Sequence, residues 1–530
     1  MKKILSLIRA TTRNICRDTG ANTLLVFAMS SAALIGAAGG AIDMGRAQML
    51  QAKLSSALDA AGLAAGASAS TTAIPTEARS YFDANFNAAT INATVDSFSA
   101  VPNADNTIIT LSARATSPTT FMRYFGKTSI TVSANSEITR TSKGMELVLV
   151  LDITGSMAGS KITSLRNAAN DLVNVLYGSN TTLQNFWIGL VPYVASVNIG
   201  NNNSAWVANY ATAIASYPGG TWPTARRYGP ANPTLPWKGC VEERTATGGL
   251  DTNDTPPDAS NPSTLFPIYY WPDTPTTSTT LGNTDNNWFT DAGALNLNEA
   301  YGYQNNGSSG GRGPNVACGQ PIQPFTSSKA TIQTAINGLQ EWRRGGTASS
   351  TGLAWGWRFL SPNWRGLWNH ELVSGQVKLP LNYRTDLMDK VIVLMTDGIN
   401  EFYDAPVRNA SGNDQDMDPF HSDYTAYKRL NDLRPDFNTT NQATAVGIVN
   451  TKTTTMCTAL KAQGVIIYTV TFQLGNSTAE NNARTLFRNC ASKPDYYFDA
   501  ESTVPGATQV NLSTAFRTIG DSLANLRISK

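Results

Sequence analysis

Apolar positions change their spacing several times along this chain, and each change marks a different kind of element. From Thr19 to Ile42 there is no charged residue. The stretch "TGANTLLVFAMSSAALIGAAGGAI" is long enough to cross a hydrocarbon core about 30 Å thick as a helix. Beyond it Leu50, Leu54, Ala57, Leu58, Ala61 and Ala65 recur at three- and four-residue intervals, which predicts that the helix continues with one apolar face. A second short helix is expected over 76–86. "ATVDSFSAV", "NTIITLSARA" and "SITVSANSEI" then alternate as strands do.

At Glu146 the texture shifts to continuous apolar runs. "MELVLVLD", "FWIGLVPYV", "KVIVLMTDG" and "GVIIYTVTFQL" have the composition of strands covered on both faces. Between them "KITSLRNAANDLVNVLYG", "ATIQTAINGLQEW", "TAVGIVNTKTTTMCTALKAQ" and "AENNARTLFRNCAS" carry helical spacing, and "NLSTAFRTIGDSLANL" closes the chain. Strands alternating with helices predict an α/β fold with a doubly wound, mostly parallel sheet. Ligands in such sheets sit beyond the carboxyl ends of the strands. The expected organisation is a basic segment over 1–18, a membrane helix over 19–42, a stalk helix with a small α+β module over 43–140, and the α/β domain over 144–530. Insertions at about 198–328 and 400–441 interrupt that domain. The first is rich in Asn, Gly, Pro and Thr and holds Trp206, Trp222, Trp237, Trp271 and Trp288, enough apolar mass to collapse, by default upon itself. Binding of glycans or of another subunit is the alternative role.

Charge adds direction. Lys2, Lys3, Arg9, Arg13 and Arg17 precede the apolar run against one acid, Asp18, so the N-terminus is expected in the cytoplasm and the bulk of the chain outside it. A cleaved secretory signal is the alternative, since "GAAGGA" suits a peptidase. Gly36 and Gly40 allow either close helix contact or simple lipid exposure. The net charge of +2, without a basic stripe, speaks against nucleic acid as a partner. Cys16 precedes the run and Cys240, Cys318, Cys457 and Cys490 follow it. Four exported cysteines suit two disulfides in an oxidising compartment, with three pairings open. Cys457–Cys490 and Cys240–Cys318 are favoured because each pair lies within one segment. Only His370 and His421 are present, and no Cys/His cluster, which excludes an ordinary zinc site.

Candidate chemistry centres on "DITGSM". Asp152, Thr154 and Ser156 alternate, so an extended loop points their oxygens one way. "RRGGTASS" places Thr347 after two glycines, and "VLMTDG" ends a buried strand on Asp397. Oxygen ligands of this kind suit Mg²⁺ or Mn²⁺. The three motifs, in this order, resemble the metal-ion-dependent adhesion site of the von Willebrand factor A domain. That resemblance assigns Asp152, Thr154, Ser156, Thr347 and Asp397 as metal ligands, with Thr154 where many relatives have serine. It further implies that an open coordination position takes an Asp or Glu carboxylate from a partner protein. The segment "RDTGANTLLVFAMSSAALIGAAGGAIDMGRAQMLQAKLSSALDAAGLAAG" and the C-terminal "LFRNCASKPDYYFDAES" with "LSTAFRTIGDSLANLRISK" resemble TadG-like proteins of bacterial Flp (tight adherence) pilus machinery. One departure is Leu25, the fifth residue after Gly20, where pilin precursors of this machinery carry glutamate. Processing as a true pilin is therefore not expected.

The resemblance implies a single-pass inner-membrane protein that is not an enzyme and binds pilus or secretion machinery. A free-standing adhesin working through the aromatic insertion is the runner-up. Other readings are weaker. Helix caps alone explain any one of the three motifs, but poorly all three together. An aspartyl-phosphate enzyme would make Asp152 a nucleophile and leave the Gly-Gly-Thr loop without a role. Aspartic protease and Ser–His chemistry lack their partner residues. Asp414, Asp416 and Asp418 alternate as in a Ca²⁺ loop, without the glycine and closing glutamate of an EF-hand, so a solvated acidic loop is preferred.

Overall fold

A computed structural model describes residues 19–67, 74–103, 108–139, 143–208, 237–245, 249–269, 271, 315–370, 372–373, 377–404, 407–408, 414–415, 422–504 and 510–528. The basic segment 1–18, Cys16, Trp222, Trp288, Asp416, Asp418 and His421 lie outside the described residues. Two compact units are present, Met1–Ser142 with Ile528–Lys530, and Lys143–Arg527.

In the first unit, helix α1 runs unbroken over Thr19–Ala67. It is apolar and long enough to cross a membrane or to act as a signal sequence. Its two halves behave differently. Leu24, Val26, Phe27, Met29, Leu34 and Ile35 are exposed, whereas Leu50, Leu54, Ala57, Leu58, Ala61 and Ala65 are buried. The buried stripe packs with Ile74, Ala78 and Phe82 of α2 (Ile74–Asn85) and with the inward residues of an antiparallel sheet. That sheet has the order β1 (Thr94–Pro102), β2 (Ile108–Pro118), β3 (Ser129–Thr139). Gly62 lies where a Cβ would meet Ile138 at 2.7 Å, so the small residue lets helix and sheet approach.

The second unit is built on β4 (Gly144–Asp152), β5 (Phe186–Tyr193), β6 (Gln323–Thr326), β7 (Met388–Thr396), β8 (Ile466–Phe472) and β9 (Tyr497–Ala500). Their spatial order is β9-β8-β7-β4-β5-β6. The first five in that order pair in parallel, and β6 closes the edge antiparallel to β5. All nine residues of β4 are buried, as a central strand covered on both faces requires. Its side chains alternate between two cores. Leu147, Leu149 and Leu151 meet α3 (Ser160–Tyr177), α4 (Lys329–Asn337) and α8 (Leu512–Ile528). Val148 and Val150 meet α5 (Ser349–Leu360), α6 (Gln442–Ala462) and α7 (Thr478–Cys490). Helices thus cover both faces of a mostly parallel sheet. The edge strands β6 and β9 are additions to the elements the sequence patterning predicts.

Both favoured disulfides are present, Cys240–Cys318 and Cys457–Cys490. The described parts of the first insertion do more than fold on themselves. Trp206 packs edge-on against Trp364 and Trp368, beyond α5, and joins the core of the sheet. Glu243 forms a two-pronged ion pair with Arg358 of α5, at 3.0 and 2.8 Å, with both side chains buried. The described parts of the insertion therefore do not collapse on themselves alone, contrary to the expectation, because Trp206, Val241 and Phe266 share one apolar core with Leu353, Trp355 and Phe359 of α5. Trp271 follows the expected course more closely. It clusters with Cys240, Tyr269, Val316, Ala317 and Cys318, joined by Tyr424.

Candidate functional site

The site forms at the carboxyl ends of β4 and β7, which are neighbours in the sheet. Asp152 is the last residue of β4. Thr154 is extended, and Gly155–Met157 makes one tight turn before α3 begins at Ser160. Asp397 follows β7 directly. Residues distant in sequence thereby meet. Ser156 Oγ donates to Asp397 Oδ1 at 2.6 Å across 241 positions. Thr154 Oγ1 and Ser156 Oγ share a hydrogen bond of 2.9 Å. The Thr154 N–H donates to Asp152 Oδ1 at 2.9 Å, and Thr396 Oγ1 donates to Asp152 Oδ2 at 2.7 Å. Asp152, Thr154 and Asp397 are buried while Ser156 is exposed, so the cluster opens outward at that hydroxyl.

Two carboxylates in one buried group repel each other. Burial, then the charge of Asp397, pushes the Asp152 carboxyl up to about 7, against the pull of its bonds from Thr154 and Thr396. Lys161 Nζ contacts Asp397 Oδ2 at 2.7 Å and supplies one compensating positive charge. The cluster therefore carries more negative than positive charge when both acids are ionised. Beneath it, Tyr193 donates to the Met395 carbonyl at 3.1 Å and closes the floor.

The loop carrying Thr347 is fastened to both other loops by its backbone. Trp342 N–H donates to the Ile153 carbonyl at 2.7 Å, and a Cβ on Gly155 would sit 3.2 Å from Arg343 Cα. Gly346 has φ +83, and a Cβ there would meet the Glu401 carbonyl at 2.2 Å, so only glycine suits the position. Gly346–Thr347 then pairs antiparallel with Glu401–Phe402. Asn400 Oδ1 accepts the Ser349 N–H at 2.8 Å and so caps α5 from the third loop. Thr347 itself is buried, and among the described residues no hydrogen bond joins its hydroxyl to the other four predicted ligands.

The structure thus gathers Asp152, Thr154, Ser156 and Asp397 directly and sets Thr347 on the adjoining strand pair. Sequence reasoning passed over Lys161, Thr396 and Asn400. A lysine in the first turn of an amphipathic helix looks like solvated charge. Thr396 looks like the end of an apolar strand, although its place directly before Asp397 was a usable signal. Of the alternating acids in the second insertion, Asp414 lies in a short antiparallel pairing of Val407–Arg408 with Asp414–Gln415.

All the converging donors are oxygens, the set preferred by hard divalent cations. Among the described residues no group of three or more His, Cys, Asp or Glu side chains collects, so the acids here are reinforced by hydroxyls instead.

Neither a family model nor a curated protein matches the chain. Among solved structures it is similar to the vWF domain of the type V pili tip protein Mfa5 from Porphyromonas gingivalis, at 11% identity and TM-score 0.31, covering 73% of this chain and 97% of that one. It is also similar to the pilus adhesin SpaC from Lactobacillus rhamnosus GG, at 11% identity and TM-score 0.31, where 82% of this chain spans 33% of that one. For the pilus adhesin RrgA from Streptococcus pneumoniae the values are 12%, 0.31, 80% and 47%. Likenesses of this size leave the reading of the chain to its own residues.

Proposed function

We propose that this chain is a membrane-anchored, metal-dependent protein-binding component of bacterial Flp pilus assembly or surface adhesion, TadG-like, with a von Willebrand factor A-type domain as its binding module. One observation carries the reading: Asp152, Thr154, Ser156 and Asp397 form a single hydrogen-bonded group at adjacent strand ends. Asp152, Thr154, Ser156 and Asp397, with Thr347 from the neighbouring loop, would hold Mg²⁺ or Mn²⁺. Bound there, the cation supplies a Lewis-acidic position for a carboxylate oxygen of a partner protein.

The chain's own residues do the rest. Thr396 and the Thr154 N–H hold both oxygens of Asp152 in place. Lys161 offsets part of the acid charge, so that two carboxylates plus a divalent ion leave the site net positive, which attracts Asp or Glu. The exposed Ser156 edge is where a partner side chain enters. A non-enzymatic role suits Asp152. It is fully buried and both its oxygens already accept hydrogen bonds, a poor arrangement for an attacking nucleophile.

The test uses the full chain in detergent. Calorimetric titration with Mg²⁺ should show one site, abolished by Asp152→Ala, and exported fractions should yield a partner that chelator releases. A partner that co-purifies equally with the alanine variant would remove the metal from the mechanism.

A further inference from the structure

Within the first unit, the loop between β2 and β3 turns back along α1 and not onto the sheet. Asp43 fastens it: its carboxylate accepts the N–H groups of Thr120, Phe121 and Met122 at 2.9, 2.8 and 2.7 Å. From there the loop descends toward the N-terminal half of the helix. Phe121 lies where a Cβ on Gly39 would come within 2.6 Å, and Phe125 where a Cβ on Gly36 would come within 2.8 Å. Gly36, singled out in the sequence as a possible helix-contact position, thus faces this loop, whereas Gly40 has open space. Tyr124 is 75% exposed and Phe125 71%, and the exposed Met29 lies on the Gly36 face of α1, two turns further toward its N-terminus. Single exposed aromatics are ordinary on soluble proteins, but a contiguous apolar patch marks a contact surface. Arg123 and Lys127 flank the aromatic pair and are also exposed.

The geometry points to a second membrane contact: the 119–127 loop docks on the surface of an anionic bilayer, with Tyr124 and Phe125 in the interfacial zone and Arg123 and Lys127 on headgroup phosphates. This rests on reading 19–42 as a span. A hydrocarbon core takes about 20 helical residues, so counted from Thr19 its far boundary falls beside Gly39. Phe125, at Gly36, is then about 5 Å inside that boundary, the depth at which interfacial aromatics sit, and Asp43 about 6 Å outside it. The loop's basic residues match the negative headgroups, worth roughly a fivefold gain in surface affinity apiece. The aromatic pair also stands over the face of α1 that carries Gly36 and, two turns on, the exposed Met29 within the span, which makes lipid its occupant.

The test places the full chain, with Cys16→Ser, in phosphatidylethanolamine vesicles containing phosphatidylglycerol. A fluorophore is attached in turn at Tyr124→Cys, Leu34→Cys and Val101→Cys, the last an exposed β1 position opposite Thr110, whose neighbour Ile109 pairs with Ile138 beside Gly62 toward the far end of α1. Lipids carrying a quencher near the headgroup should dim the label at 124, deep quenchers should dim the label at 34, and neither should dim 101. Converting Arg123 and Lys127 to Gln should weaken quenching at 124 severalfold without altering 34. A label at 124 that behaves like 101 while 34 is quenched overturns the loop assignment alone. A label at 34 that escapes quenching overturns the span and the loop contact with it. Protection of 124 that depends on protein density and not on lipid quencher assigns the patch to a second copy of the chain, which also overturns the proposal.

Discussion

Strand β4 carries an acid near each end, and the two have opposite surroundings. Glu146, at the amino end, lies directly across from Lys390 on β7 and makes a buried ion pair with it. Glu146 also accepts the Leu381 N–H at 2.6 Å, and Lys390 donates to the Leu360 carbonyl at 2.9 Å. Burial raises the Glu146 carboxyl and Lys390 pulls it back down. Every charge there has a partner within the fold. Asp152, at the carboxyl end, feels the charge of another acid, Asp397, and Lys161 pairs with Asp397 and not with Asp152. A buried charge that serves the fold is closed by its own protein, whereas this one is left with acid in excess and an exposed hydroxyl beside it.

The largest effect should come from opening the closed end. Glu146→Ala strands Lys390 in the core and should cost about 3–5 kcal/mol. All 11 tryptophans lie at Trp187 or later, so their fluorescence during urea unfolding reports the second unit alone. Pairing the change with Lys390→Met should restore most of the loss; if it does not, the pair does more than neutralise itself. At the open end Asp152→Asn removes repulsion along with one acceptor, and in chelator it should shift stability by no more than about 1 kcal/mol. Mg²⁺ should stabilise the parent chain and not this variant. An Asp152→Asn cost as large as that of Glu146→Ala would erase the contrast between the two ends.

Acid sharpens the same comparison. His370 feels the charge of Lys390, stacks on Trp368, meets Phe359 edge-on and Phe325 at a tilt, and its Nδ1 accepts the Phe325 N–H at 3.0 Å. Burial, then the charge of Lys390, lowers its pKa to about 3. The unfolded chain therefore binds a proton near pH 6.5 that the folded chain refuses. Stability from this group is complete above that value and falls as pH drops toward 3, by up to about 1.4 kcal/mol per pH unit. His370→Phe should flatten the acid limb of the tryptophan-monitored midpoint. The smallest effects belong to single hydroxyls. Ser156→Ala should weaken Mg²⁺ binding about tenfold in calorimetry, and Thr347→Ala by less, since its hydroxyl stands outside the hydrogen-bonded group.

Much of this was legible in the chain. Continuous apolar runs marked β4, β5, β7 and β8 because strands covered on both faces leave no polar alternation. The short edges β6 and β9, "QPFT" and "YFDA", offered too few residues for any period to show. Three of the site's oxygens sat in one motif, and Asp397 announced itself at a strand end. Lys161 and Asn400 did not, since their roles depend on which loop ends meet in space. The Glu243–Arg358 pair was hidden for the same reason, its members being 115 positions apart. Periodicity reports which face a residue takes and is silent about its opposite number.

The Asn400 cap has a mechanical corollary. The amide that begins α5 is pinned to a side chain three residues past Asp397, so the third loop cannot move without tugging the first turn of that helix. The helix is short and stiff, and at its other end Arg358 grips Glu243 of the insertion. A displacement at the rim is therefore delivered, as through a pushrod, to a segment about 14 Å away along the helix axis.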